Sequence, residues 1–401
     1  MSGSEKRPLV PQSRFPEFQD SGEWQEKKLA ELLKESRIEG SAGDTAKKIT
    51  VKLWGKGVFA KQESIKGSEN TRYYKRRTGQ FIYSKLDFLN QAFGIIPPQL
   101  DGFESTVDLP CFDIDDKLDP VFLLEYVKRE DFYKKNGEIA DGGRKAKRIQ
   151  PEVFLSFPIA LPTKEAEQQK IAASLSSIDE LITAKTRKLD ILRAYKNGLM
   201  QQLFPGEGET VPRLRFQQFL GAGDWKIKQL GTVCDMQSGK FVSASEISES
   251  RAKGFYPCYG GNGLRGYTRT FNQSGRYSLI GRQGALCGNV NFVEGEFYAT
   301  EHAVVTAPKP GINAHWLFYI LCRLNLNRFA TGQAQPGLSV EALEKVSCAV
   351  PTSEKEQQEI AAFLFSLDEL IMASAHKLDA LKVHKKGLIQ LLFPVLDEVP
   401  A

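Results

Sequence analysis

Few residues of this 401-residue chain have the types and spacing that chemistry requires. Its one formal cofactor motif is Gly261-Asn262-Gly263-Leu264-Arg265-Gly266, a GxGxxG. A dinucleotide site needs a strand before that motif, a helix after it and an acid about 20 residues further on. Here it follows FYPCYG and runs into YTRTFNQSG, which is turn and β chemistry, so a Gly-rich turn is the better reading. No GxxxxGK[ST], HExxH or GxSxG occurs. A base-flipping adenine methylase loop needs Asp or Asn before Pro-Pro-aromatic, and Pro97-Pro98 lies between isoleucine and glutamine. Glu125-Tyr-Val-Lys128 has the wrong spacing for a nuclease core and sits in an expected helix, where it reads as an i,i+3 ion pair. The four histidines, His302, His315, His376 and His384, form no ligand pair. The six cysteines include no CxxC and read as reduced thiols of a cytoplasmic protein. The first residues carry no apolar leader, and no run approaches a membrane span. On these residues the chain is expected to be non-catalytic alone, without a metal or cofactor of its own.

What remains is electrostatic. The net charge of +5 is modest, but its distribution is not even. From Ser250 to Val293 there is no Asp or Glu, while Arg265, Arg269, Arg276 and Arg282 alternate with Tyr259, Asn262, Tyr267 and Gln283. From Asn70 to Leu86 the chain is again free of acids and carries Arg72, Tyr73, Tyr74, Lys75, Arg76, Arg77 and Lys85. A further basic run holds Arg144, Lys145, Lys147 and Arg148, and Gln333 and Gln335 add amides later in the chain. Lys and Arg neutralise phosphates. Arg matches the guanine edge, and Asn or Gln the adenine edge, in the major groove. A single such run reads equally well as a solvated cationic face. Two of them, each interleaved with aromatics and amides, make nucleic acid the expected ligand.

The elements that must position these residues come from a duplication. PTKEAEQQKIAASLSSIDELITAKTRKLDILRAYKNGLMQQLFP (162–205) and PTSEKEQQEIAAFLFSLDELIMASAHKLDALKVHKKGLIQLLFP (351–394) align without a gap at an offset of 189, with 27 of 44 positions identical. Ile171, Leu175, Ile178, Ile182, Leu189 and Leu192 in the first copy, and Ile360, Leu364, Leu367, Ile371, Leu378 and Leu381 in the second, alternate by four and three. That is the seam of a left-handed coiled coil, so the two helices are expected to bury their stripes against each other. Lys185, Lys196, Ser374 and Lys385 interrupt the seam and would set register. The matched starts of the helices, Glu167, Gln168 and Gln169 and then Glu356, Gln357 and Gln358, are expected to be a shared docking surface for two copies of one partner.

A second repeat precedes each globular region. Val10, Pro11, Arg14, Phe15, Phe18, Gly22 and Trp24 match Val211, Pro212, Arg215, Phe216, Phe219, Gly223 and Trp225 at an offset of 201. The repeat unit is therefore half the chain: opening segment 1–24, globular region 25–161, helix 162–205, then connector 206–225, globular region 226–350, helix 351–394 and tail 395–401. The connector reads like the C-terminus joined to the N-terminus, so the two termini are expected to meet. Short β runs separated by Gly, Pro and Asp turns, with helices at KKLAELLKES, PVFLLEYVKREDFYKKN and AHWLFYILCRLNLNRFA, make each globular region α+β. The expected fold is thus α+β: two globular domains joined by two long antiparallel coiled-coil helices in a pseudo-two-fold, circular arrangement.

The paired P-T-x-x-E-x-EQQ-x-IA openings and GL-x-Q-x-LFP endings resemble the specificity subunits of type I restriction–modification systems, and the resemblance covers essentially the whole chain. PCYGGNG followed by LIGRQG, and DGF after IIPPQL, resemble stretches of their target-recognition domains more weakly. The resemblance implies a non-catalytic reader of a bipartite, asymmetric site in double-stranded DNA. One domain would contact each half through the major groove, and the helices would fix the spacer. It also implies two modification subunits that methylate adenine N6, with S-adenosylmethionine, Mg and ATP held by partner subunits, and restriction/translocase subunits that join them. The competing readings are a self-sufficient DNA methyltransferase or nuclease, which would methylate DNA without a partner, and a structural coiled-coil adaptor, for which neutralising Arg265, Arg269 and Arg282 would cost no DNA binding.

Overall fold

The computed structural model describes residues 8–62, 67–138, 148–284, 286–332 and 336–396. The chain divides into two compact units, Met1–Lys185 with Lys377–Ala401, and Thr186–His376. Each unit therefore takes its own globular region, the first part of the long helix that follows it and the last part of the other long helix. The two helices span Glu165–Leu203 and Glu354–Leu392, 39 residues each.

In the first unit, strand Gln25–Lys28 pairs antiparallel with Pro158–Leu161, immediately before the first long helix. Leu33–Ser36, Cys111–Ile114, Phe81–Tyr83 and Phe93–Ile95 form a four-stranded sheet in that order. Ile38–Ala42, Arg72–Lys75 and Glu104–Ser105 form a three-stranded sheet, and Ile49–Lys52 pairs with Gly57–Ala60 in a hairpin. Aromatic side chains fill the core. Phe81, Tyr83, Phe88, Phe93, Phe112, Phe122 and Phe154 are 2% exposed or less, which concentrates much of the unit's apolar burial in a few residues.

The KKLAELLKES stretch is not a helix. Gln25–Lys28 is a strand, Leu29–Glu31 a single 3-10 turn and Leu33–Ser36 a second strand. Leu29, Leu32 and Leu33 are buried as a helical stripe would be, but the sheet partners of the flanking residues outweigh local helix propensity. The PVFLLEYVKREDFYKKN helix is two helices, Pro120–Val127 and Glu130–Gly137. The break falls at Arg129, whose Nη2 donates to the carbonyl of Pro394 at 3.0 Å and whose guanidinium lies 4.7 Å from the Tyr126 ring.

The second unit repeats the frame around a different sheet. Lys226–Gln229 pairs antiparallel with Ser347–Val350, the register equivalent of the first pair. Six strands follow in the order Cys234–Ser238, Ala303–Pro308, Gln273–Gly281, Val290–Ala299, Tyr256–Gly260 and Gly263–Thr268. The Tyr256–Gly260 and Gly263–Thr268 strands are antiparallel neighbours, so the GxGxxG stretch spans a hairpin turn and its second strand. Helix Ala314–Arg323 packs its Trp316, Leu317, Tyr319, Ile320 and Leu321 into the core.

The first and last described residues of the chain both lie in the first unit. Ser13 N donates to Leu391 O at 3.0 Å, and in the second unit Leu214 N donates to Gln202 O at 2.9 Å. Ser13 and Leu214 are 201 apart and Leu391 and Gln202 are 189 apart, so the same bond closes both repeats.

Candidate nucleic-acid interface

The repeated helix starts are not surface. Glu167, Gln168, Glu356 and Gln357 are 1%, 3%, 0% and 2% exposed. Arg14 grips Glu167 bidentately, Nε to Oε1 at 2.8 Å and Nη2 to Oε2 at 3.1 Å, and Trp24 Nε1 donates to the same carboxylate at 3.3 Å. Arg215 and Trp225 do the same to Glu356, at 2.7, 2.8 and 3.2 Å. Gln168 donates to Lys117 O at 3.1 Å and accepts from Asp119 N at 3.3 Å, at the N-cap of helix Pro120–Val127. Gln357 donates to Gly311 O at 3.1 Å and accepts from Asn313 N at 2.9 Å, at the N-cap of helix Ala314–Arg323. These four residues thus clamp the opening segment and a domain helix to each long helix, which corrects their reading as a docking surface. A buried carboxylate needs such charge-assisted partners, and that need explains the duplicated sequence. Only Gln169 and Gln358 of the six are exposed.

Along both long helices, the residues at the four–three spacing are withdrawn from solvent. Ile171, Leu175, Leu189, Ile360, Leu364 and Leu378 are buried, and Ile178, Ile182, Leu192, Leu367, Ile371 and Leu381 are half-buried. Ile171 and Leu175 enter the core of the first globular region, and Ile360 and Leu364 that of the second, so each seam serves a domain as well as a helix partner. In the first unit Lys385 Nζ reaches Asp179 Oδ2 at 2.7 Å and Glu125 Oε2 at 2.8 Å. In the second unit Lys196 Nζ reaches Asp368 Oδ1 at 2.6 Å, and Tyr319 Oη donates to Asp368 at 2.8 Å. Both Lys and both Asp are related by the 189-residue offset. Glu125 also pairs with Lys128 at 2.8 Å, the i,i+3 contact. Burial works against the charged form of Glu125, but Lys128 and Lys385 outweigh it and hold the carboxyl below its ordinary value.

The basic runs divide into exposed and internal members. In the first unit Arg72, Lys75 and Arg77 are exposed, Tyr73, Tyr74 and Lys85 half-buried. Arg77 lines a small cavity with Asp113, Asp115 and Asp116, a surrounding unlike a phosphate site. Arg76 is 2% exposed, with Nε on Ser105 Oγ at 2.8 Å and Nη1 on Ser36 O at 2.7 Å. Burial lowers its pKa, and its guanidinium is a tie between strands rather than a free charge, which corrects its reading as a DNA contact. Arg148 is exposed beside Asp108 at 3.3 Å. Arg144, Lys145, Lys147, Gln333 and Gln335 lie outside the described residues.

In the second unit Asn262, Arg265, Arg269, Arg276 and Gln283 are exposed, Tyr259, Tyr267 and Arg282 half-buried. Arg276 pairs with Glu294 at 2.8 Å in full solvent. Arg282 turns partly inward, with Nη1 on Ser238 Oγ at 3.1 Å. Tyr259 packs on Phe297, ring centroids 5.8 Å apart, and so supports the sheet. Asn262, Arg265 and Gln283 share one cavity of about 540 Å³ with Gly260, Gly261, Gly263, Gly284 and His302. Gly261 in its lining has no room for a side chain: a Cβ there would come within 2.9 Å of His302 O. The larger cavity of the first unit, about 800 Å³, is lined by the already paired Lys385, Glu125 and Asp179 and holds none of the basic run, so volume does not pick out the reading surface.

Among the described residues no group of acids, histidines and cysteines could hold a metal, and no helix is long and apolar enough to cross a membrane. Burial pushes the thiols of Cys111 and Cys348 up to about 12, far from thiolate chemistry. His315 stacks on Phe292, centroids 4.3 Å apart, and burial lowers its pKa. The partners missed in the sequence were Asp179 and Asp368, which the 189-residue offset could have paired with the seam lysines. His302 gave no local signal at all, because only the fold brings it to Gln283.

The fold and surface define a class: a duplicated α+β binding protein whose two β-rich units, unlike in their sheets, are carried on one repeated helical frame. A sequence profile described as "Type I restriction modification DNA specificity domain" matches residues 222–383. The chain is 49% identical over 146 residues to the type I restriction enzyme EcoprrI specificity subunit of Escherichia coli, a match spanning 36% of each. It is 25% identical over 303 residues to the MjaVIII specificity subunit of Methanocaldococcus jannaschii, spanning 69% of each. The type I restriction–modification S subunit of Mycoplasma genitalium shares the fold, with a TM-score of 0.67 at 17% identity over 98% of this chain and all of that one. A chain from work on complex assembly and conformational transition of the type I system gives 0.54 at 18% identity over 92% of this chain and 97% of that one. The chain is thus similar to type I restriction–modification specificity subunits, over 36% of the length of the Escherichia coli relative and 69% of the Methanocaldococcus jannaschii one.

Proposed function

We propose that this chain reads a bipartite, asymmetric DNA sequence, one half with each compact unit, through side chains placed in the major groove. The observation that carries this is the contrast between a repeated frame and unrepeated sheets. The clamps, the lysine–aspartate pairs and the closing hydrogen bonds recur at matched positions. The sheets differ, with four- and three-stranded sheets in one unit and a six-stranded sheet in the other. A frame under common constraint serves common partners, while divergent sheets present different side chains to different base edges.

The helices act as the spacer ruler in this reading. Thirty-nine residues extend about 60 Å, more than one turn of DNA at about 34–36 Å. Two modification subunits, which bind S-adenosylmethionine and methylate adenine N6, dock on the outer faces of the helices. Leu181 and Leu370 occupy equivalent positions and are 50% and 45% exposed, a better footing for an apolar contact than the buried glutamates. Restriction/translocase subunits that use Mg and ATP join this core in the cytoplasm. Methylome sequencing of cells carrying the chain and its partners tests the proposal. A two-part adenine-methylated motif of fixed spacing is expected, lost when this chain is deleted; a continuous motif, or one that survives the deletion, overturns it.

A further inference from the structure

The cavity beside the Gly263–Thr268 strand holds a histidine set between a carboxylate and an amide, an arrangement that none of the roles above uses. Glu301 Oε1 lies 3.2 Å from His302 Nε2, and His302 Nδ1 lies 3.0 Å from Gln283 Oε1. Both facing oxygens accept, so the tautomer with its proton on Nδ1 donates to the Gln283 carbonyl, and only a ring carrying both protons also donates to the Glu301 carboxylate. The Gln283 carbonyl is thereby committed, and its NH2 is the group left for the cavity. The backbone fixes where that side chain starts: Arg282 N donates to His302 O at 2.9 Å, and Gly284 N to Pro336 O at 3.1 Å. Arg265, on the same cavity, can only donate.

A cavity that offers an arginine and an oriented NH2 suits an edge that presents acceptors. Among base pairs in the major groove, guanine shows two acceptors together, N7 and O6. We propose that this cavity takes the guanine edge of one base pair in the half-site read by the second unit, with Arg265 and Gln283 as the specificity residues. His302, braced by Glu301, is a positioning residue that holds the Gln283 amide donor-outward. The inference rests on the DNA-reading function proposed above and adds the base and the residues.

The test is selection from a duplex pool randomised across the site, using the full-length chain with the subunits that co-purify with it. The wild type selects guanine at one position of one half-site. Gln283→Glu, which replaces the donor by an acceptor, moves the preference at that position to a base with an exocyclic amine, adenine or cytosine. His302→Ala weakens the guanine preference there by about tenfold and leaves other positions unchanged, and His302→Gln, which can still donate to the Gln283 carbonyl, restores it. Gln283 and His302 are both surface side chains, and an unchanged thermal midpoint is the control for folding. If the wild type selects a site while both Gln283→Glu and His302→Ala leave every position as it was, the guanine pocket is wrong and the DNA-reading function stands. If the wild type selects no sequence, the reading function itself falls.

Discussion

Glu356 shows at the scale of one residue why the helix starts are so strongly patterned. Its carboxylate is fully buried and takes three donors from Arg215 and Trp225. Removing one member of a buried ion pair costs far more than the pair itself contributes, because the other charge is left desolvated and unpaired. Glu356→Ala is therefore expected to destabilise the second unit by about 3–5 kcal/mol, read as a lower urea midpoint at unchanged m-value. A loss below about 1 kcal/mol would show that water replaces the clamp. Glu125 makes a pH-dependent counterpart. Its folded pKa is depressed, so its contribution is present above the ordinary value of 4.5 and is lost as pH falls through the folded value. Glu125→Gln should be less stable than wild type at neutral pH, with the difference closing below pH 4.5. A difference constant with pH would assign the loss to packing.

At the scale of the element, the long helices join two demands. Their ends belong to domain cores, through Ile171, Leu175, Ile360 and Leu364, while Lys196 and Lys385 meet aspartates of the neighbouring helix. Polar partners at seam positions fix register, since any slip by one turn strands a lysine in an apolar stripe. The ruler reading then makes a direct expectation. Inserting one heptad into each helix at equivalent positions lengthens the spacer of the methylated motif and leaves the two half-site sequences as they were, which methylome sequencing would reveal. An unchanged spacer would detach the helices from that role. The period was plain in the sequence because about 3.6 residues per turn needs only local order. KKLAELLKES misled for the opposite reason: its leucines have helical spacing, but Pro158–Leu161 and Cys111–Ile114 capture the flanking residues as strands.

At the scale of the whole molecule, affinity and selectivity separate. Arg72 and Arg269 are exposed, and phosphate neutralisation releases counterions whatever the base sequence. Replacing both by glutamine should weaken binding across sequences and reduce the slope of log affinity against log salt by about 0.9 for each phosphate that is no longer neutralised. An unchanged slope would leave these two arginines off the DNA. Arg76 sits in the same kind of basic run and is predicted to act differently: it is buried among Ser36, Ser105 and Leu109, so its replacement lowers stability first.

Composition, spacing and self-similarity were enough to determine the duplicated plan, the helical seam, a family resemblance and the absence of familiar catalytic motifs, because each depends on order along the chain. They also marked where charge collects. Only the tertiary structure decided which of those charges face solvent. It turned Glu167, Gln168, Glu356 and Gln357 inward, tied Arg76 between strands and brought His302 across to Gln283. Those outcomes depend on strand order and on which backbone donors and acceptors need partners, and such interactions join residues far apart in sequence.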